Sequence, residues 1–144
     1  MTDRDNRDSD AGYLQDPVAM EVFSNRLLSI TEEMGHTLVR ASFSTNIKER
    51  KDCSVGLFDA RGRLVAQASH VPLHLGSLMG GVEAVLAHYD IANMEDGDAF
   101  VCNDPYQAGG THMPDISVIT PVFHDGAVHK DMSRLRDARD QHVA

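Results

Sequence analysis

Phe23, Leu27, Ile30, Met34 and Leu38 recur at intervals of three and four residues. A strand alternates every two residues, so this spacing predicts an amphipathic helix with a single apolar stripe. Asp16-Pro17 supplies the start. Asp accepts hydrogen bonds from the first free N–H groups, and Pro is tolerated at the first helical position. Glu21, Arg26, Glu32, Glu33 and Arg40 lie off the stripe. The helix is predicted over Pro17–Ala41. A stripe this long must pack on something, because helix stability in water comes mostly from burying one face.

The rest of the chain mixes periods. SFSTNIKER, residues 42–50, is polar and aperiodic and reads as a loop. Cys53, Val55 and Leu57 then alternate with smaller residues, Asp59-Ala60-Arg61-Gly62 offers turn chemistry, and Leu64-Val65-Ala66 begins a return strand. His70 to Gly76 is expected to be extended, since Pro72 biases its predecessor away from helix. Ser77 is the expected cap of a second helix with Leu78, Val82, Val85, Leu86 and Tyr89 on its apolar face. Gly80-Gly81 near its start costs roughly 1 kcal/mol each against Ala, and close backbone packing would explain the pair. Ala99–Cys102 and Ile116–Val122 read as strands, and His124-Asp125-Gly126 as a turn opening a hairpin. That hairpin is expected to have no return strand, because the highly charged residues 129–144 offer no period-2 pattern. The predicted fold class is α+β: a long N-terminal helix, an antiparallel hairpin, a second helix and further strands.

Composition narrows the function. The 144 residues fit one domain. A net charge of −9 argues against nucleic acid and against an anionic membrane surface. The first ten residues, MTDRDNRDSD, hold four Asp and almost nothing apolar, so 1–15 is expected to be a disordered acidic tail. No run approaches the roughly 18 apolar residues of a membrane span, and no apolar signal segment follows the N-terminus, so a cytoplasmic protein is expected. Cys53 and Cys102 are far apart and form no CxxC, which predicts reduced, buried thiols.

The chemistry-bearing residues concentrate in Asn103–Asp115, a glycine-bearing loop between two apolar runs. Asp104, His112 and Asp115 form a carboxylate–imidazole set suited to a divalent metal such as Mn, Fe or Zn. Such an ion polarises a carbonyl or acidifies a bound water. The same residues also fit a plain turn, with Asp115 capping backbone groups. His70 and His74 are a second pair, readable as ligands or substrate donors, or as partly buried histidines beside a proline. Lys48, Arg50, Lys51 and Asp52 read either as an anion clamp or as a solvated loop. There is no nucleophile elbow, no Walker A and no GxGxxG, so no nucleotide site is recognisable.

Several segments in register resemble one family. They are Asp16-Pro17-Val18, Glu32-Glu33-Met34-Gly35, Asn46 through Asp52, Phe58 through Gln67, His70-Val71-Pro72-Leu73-His74-Leu75-Gly76-Ser77, and Asn103-Asp104-Pro105-Tyr106 through Gly109-Gly110-Thr111-His112-Met113-Pro114-Asp115. Together they resemble the N-terminal part of the hydantoinase B/oxoprolinase family over roughly residues 16–126. The resemblance implies a partner, a hydantoinase A-type actin-like ATPase, which uses ATP to phosphorylate the substrate. It implies that the B-type chain completes the opening of a cyclic amide, such as a hydantoin or 5-oxoproline, at a divalent metal. Relatives carboxylate small ketones. On this resemblance Asp104, His112 and Asp115 become metal ligands, and His70 and His74 catalytic residues near the substrate.

Family chains are several times longer. After the segment matching Thr120-Pro121-Val122-Phe123 they continue with another strand and a histidine-rich, aspartate-containing motif expected to add ligands. Residues 16–127 are therefore expected to form the family-like region and 128–144 a divergent polar tail. A shifted reading frame near Met132-Ser133 would produce that divergence, and a naturally short protein with its own tail is the alternative. Two expectations follow. One is a subunit of an ATP-dependent cyclic-amide hydrolase. The other is a catalytically inactive fragment or partner-binding module, or a ketone-carboxylase component.

Overall fold

The structure, a computed structural model, describes residues 16–69, 71, 74–110, 112–124 and 127–128. The expected acidic tail over 1–15 and the polar tail beyond Val128 lie outside the described residues. The fold is α+β, as the mixed periods predict. Helix α1 spans Pro17–Ala41, with Asp16 as its cap: the carboxylate accepts from the Val18 N–H at 3.0 Å. It ends where Ser42 turns extended and the Ser42 hydroxyl accepts from the Ser44 N–H.

The buried face of α1 differs from the expected stripe. Phe23 and Leu27 are half-buried, but Ile30, Met34 and Leu38 are exposed. The buried positions are Ala19, Met20, Thr31 and Gly35. Spacing finds the ridge of large side chains, whereas the buried positions are, apart from Met20, small ones. Thr31 is fully buried because its hydroxyl donates to the Leu28 carbonyl at 2.8 Å, leaving no unpaired polar group.

SFSTNIKER is not wholly a loop. Thr45–Arg50 form a short helix, α2. Its end is a Schellman-type closure: Lys51 takes a left-handed conformation at φ 54°, its N–H donates to the Ile47 carbonyl, and the Asp52 N–H donates to the Asn46 carbonyl. Six residues are too few to show a period, so the sequence pattern could not reveal them.

Strands β1 (Gly56–Phe58) and β2 (Leu64–Gln67) form the expected antiparallel hairpin, with a bulge between Leu57 and Phe58 in the register. They pack on α1, and the Ser69 N–H donates to the Glu32 carboxylate at 2.8 Å at the end of β2. The turn is built on Asp59, whose side chain is fully buried. Its carboxylate accepts from the Arg61 and Arg63 N–H groups and from Arg63 Nε at 2.7 Å. Burial pushes the Asp59 carboxyl up. The hydrogen bonds from Arg63 and Arg61 and the Arg63 charge outweigh that and hold it below the ordinary carboxylate value. Gly62 sits at φ 75°, with Leu86 3.1 Å from where a Cβ would stand, so the turn also abuts the second long helix.

That helix, α3, spans His74–His88. It starts three residues before the expected cap. His74 to Gly76 are helical rather than extended, and Ser77 is a buried residue of the next turn whose hydroxyl has no partner. Pro72 restricts the residue before it and not those after, so His74 is free to begin the helix. Val82 and Val85 are buried as expected. Tyr89, just past the end, packs on Phe100 with the rings tilted at 49° and 4.7 Å between their centres.

A single 3-10 turn, Ile91–Asn93, leads to β3 (Phe100–Cys102), which pairs antiparallel with β4 (Ser117–Ile119). This ribbon packs on α3 through β4. β4 is shorter than the Ile116–Val122 run expected. A third ribbon joins β5 (Phe123–His124) to β6 (Ala127–Val128). A return strand therefore exists where none was expected. Two residues meet the pairing requirement, and no alternation is visible at that length. No helix among the described residues is long and apolar enough to cross a membrane.

Candidate functional site

The loop from Asn103 to Asp115 is fixed at both ends. The Asn103 side-chain amide donates to the Met113 carbonyl at 3.0 Å, bridging entry and exit. Asp104 folds its own turn: one carboxylate oxygen accepts from the Tyr106 N–H at 2.7 Å and the Gln107 N–H at 3.1 Å. In the middle, Gly109 is left-handed at φ 65° and lies against Gly80 of α3. A Cβ on Gly80 would stand 2.9 Å from Gly109 Cα and closer still to the Ala108 carbonyl. The glycine pair that weakens α3 locally is thus the seat on which the loop rests. A Cβ on Gly81 would likewise stand 3.3 Å from the Cys102 sulfur.

At the exit, the Asp115 N–H donates to the His112 carbonyl, closing a tight turn. That turn brings His112 Nε2 to 3.4 Å from the Asp115 carboxylate. His112 is 60% exposed and Asp115 25%. Two donors bound at about 2.1 Å to one tetrahedral ion stand roughly 3.4 Å apart, so this pair has the spacing of two ligands of a shared ion. Asp104 is committed to its turn and is not brought to the pair. Among the described residues no group of three His, Cys, Asp or Glu side chains is gathered tightly enough to hold a metal. Among the described residues, the loop therefore presents one His–Asp pair with no third such side chain gathered beside it.

Of the second expected pair, His70 lies outside the described residues. His74 opens α3, and its side chain is 17% exposed. Its Nδ1 is 3.3 Å from the Ser54 hydroxyl, and its Nε2 is 3.6 Å from the Asp52 carboxylate. Sequence reasoning placed Asp52 in a charge run with Lys48, Arg50 and Lys51, and did not single out Ser54. Their link to His74 spans about twenty residues and depends on the left-handed turn at Lys51, so no local signal reveals it. Cys53, between them, is buried, and Cys102 is half-buried; both are free thiols. Burial first, then Asp52 beside Cys53 and Asp104 beside Cys102, push both thiols up.

Comparison with known proteins agrees with the motifs. The profile of the hydantoinase B/oxoprolinase family matches residues 16–134. A 5-oxoprolinase 1 of Arabidopsis thaliana is 51% identical over 116 residues, covering 81% of this chain and 9% of that protein. The 5-oxoprolinase of Dictyostelium discoideum is 45% identical over 113 residues, 78% of this chain and 9% of that one. The 5-oxoprolinase of Saccharomyces cerevisiae is 46% identical over 108 residues, covering 75% of this chain and 8% of that one. The chain belongs to the hydantoinase B/oxoprolinase family. It matches only about a tenth of the length of these relatives.

Proposed function

We propose that this chain carries the N-terminal part of an amidohydrolase of the hydantoinase B/5-oxoprolinase type, working in the cytoplasm on a cyclic amide. Its activity depends on a hydantoinase A-type ATPase partner, and ATP acts only through that partner. The observation that carries the reading is the His112–Asp115 pair at 3.4 Å, set in the family's loop and seated on α3 through Gly80 and Gly109. His112 and Asp115 would be two ligands of a divalent Mn, Fe or Zn ion, with Asp104 shaping the loop that presents them. Such an ion, when bound, supplies Lewis acidity toward a carbonyl or a water. His74, and His70 of the same motif, would face the substrate. Two side chains of this kind leave coordination positions unfilled, so remaining donors come from water, substrate or further polypeptide.

The test is metal content together with turnover. The purified chain is dialysed against Mn, Fe and Zn and assayed for bound metal, alone and mixed with an A-type ATPase. His112→Ala and Asp115→Ala should each lower metal affinity by at least about tenfold, a 1.4 kcal/mol effect. The mixture should open 5-oxoproline or a hydantoin only when ATP is present. Metal retention unchanged in both variants would remove the ligand assignment.

A second reading has its own observation. Val101 and Val118 pair across β3 and β4 and are 67% and 61% exposed, with Ile116 open beside them. Ile30, Met34 and Leu38 of α1 are open as well. An apolar surface of this kind suits a partner-binding module without activity of its own. That reading predicts association with the ATPase but neither metal retention nor ring opening.

A further inference from the structure

The turn that brings His112 to Asp115 is a poor one by its own sequence. The Asp115 N–H closes it onto the His112 carbonyl at 3.1 Å, so Met113 and Pro114 hold its two central positions. A type I turn needs Met113 in the helical region, which a following proline disfavours. A type II turn needs a positive φ at the second central position, and the proline ring fixes φ at about −65°. A type VI turn needs a cis proline, and no described peptide bond is cis. The four residues therefore have little to hold them from within. The β3–β4 ladder does not reach them either. Its last pair is Cys102 with Ser117, and the same register puts Asn103 opposite Ile116, well short of Met113. The Asn103 side chain spans that gap. Its amide nitrogen donates to the Met113 carbonyl at 3.0 Å. A carbonyl only accepts, so the NH2 and not the Oδ1 faces it.

We propose that Asn103 is a positioning residue for the His112–Asp115 pair: by holding the Met113 carbonyl it sets the separation of the two donors, and so their affinity for a shared ion. The Met113–Pro114 peptide lies between the two arms of the turn. Holding its carbonyl restrains the rotation of that peptide plane, and with it the 3.4 Å between His112 Nε2 and the Asp115 carboxylate. The entry side to which Asn103 belongs is itself ordered. The Asp104 carboxylate accepts from the Tyr106 and Gln107 N–H groups, and a Cβ on Gly110 would stand 3.3 Å from Pro105 Cα. Asn103 thus passes the order of β3 and of the folded entry to the exit turn. A pair already at ligand spacing loses less conformational freedom when an ion binds, which raises affinity. That consequence rests on the ligand reading above, whereas the clamp on the turn does not.

Two measurements on the full chain test this. The first is exchange of the Asp115 N–H, followed by 15N-resolved NMR without added metal. Asn103→Leu keeps the bulk and removes the donor. It should raise exchange at Asp115 about threefold to tenfold, as loss of one hydrogen bond does, and leave the hairpin over 56–67 protected. Asn103→Gln keeps a donor on a longer arm and should recover part of the protection. Unchanged exchange at Asp115 in Asn103→Leu overturns the clamp. Equal loss over 56–67 overturns it too, because Asn103 would then support the whole fold and not this turn. The second measurement is titration with Mn(II). Asn103→Leu should weaken binding about threefold to tenfold, and Asn103→Gln less. Equal Mn(II) affinity in Asn103→Leu and the unsubstituted chain overturns the positioning role. If the unsubstituted chain takes up no Mn(II), the ligand reading falls and the affinity consequence with it, while exchange at Asp115 still decides whether Asn103 holds the turn.

Discussion

Two histidines of this molecule sit in opposite kinds of surroundings. His74 is mostly buried and held at both nitrogens by side chains from a segment some twenty residues earlier. His112 is largely exposed and meets one carboxylate three residues ahead. The first lies beside a polar-knit region, the α1–hairpin unit with its Asp59 cage. The second rests on backbone contact between glycines. An imidazole flanked at both nitrogens is fixed in orientation by its partners. An open His–Asp pair suits an ion that brings other ligands with it.

The comparison is broken most directly at Gly80. Gly80→Ala gains about 1 kcal/mol of helix propensity. It also drives a methyl group into the Ala108 carbonyl and Gly109, and overpacking against backbone costs about 1–3 kcal/mol. The net change should be a lower Tm. Amide exchange should rise over residues 104–115 far more than over 56–67. Equal loss of protection in both regions would show that they unfold as one unit and that the contrast is superficial.

Asp59 tests the other region. Asp59→Ala removes the carboxylate that accepts from the Arg61 and Arg63 N–H groups and should cost about 1–3 kcal/mol, read by chemical denaturation. The sign of the pH dependence follows from the lowered carboxyl. The folded state binds a proton here less readily than the unfolded chain. Stability from Asp59 is therefore complete above the ordinary carboxylate value and is lost as pH falls through the lower folded value. Asp59→Asn should flatten that acid limb. An unchanged limb would place acid sensitivity elsewhere.

The smallest effect concerns the thiols. Cys53 and Cys102 are both raised by burial and a neighbouring carboxylate, so at neutral pH both should react with iodoacetamide more slowly than in the denatured chain. Cys53, the more buried, should be the slower. Faster reaction at Cys53 would mean that the His74 side opens more readily than the loop side.

Local chemistry in the sequence was enough for α1, its Asp16 cap, the Asp59–Gly62 turn and the strand before the loop, because each is decided within a few residues. It also marked His112 and Asp115, since three-residue spacing across a tight turn brings such side chains together. Family membership came the same way, through several short motifs in order. The buried face of α1 and the seat of Gly80 on Gly109 were decided by tertiary packing, whereas the helix α2 and the return strand β6 are too short to show a period. Packing also decided the convergence of Asp52 and Ser54 on His74. A periodic pattern reports which residues are apolar, whereas burial depends on how closely another element can approach. That approach is set by small residues such as Gly35 and Gly80, whose lack of bulk leaves no signal until the opposing backbone is in place.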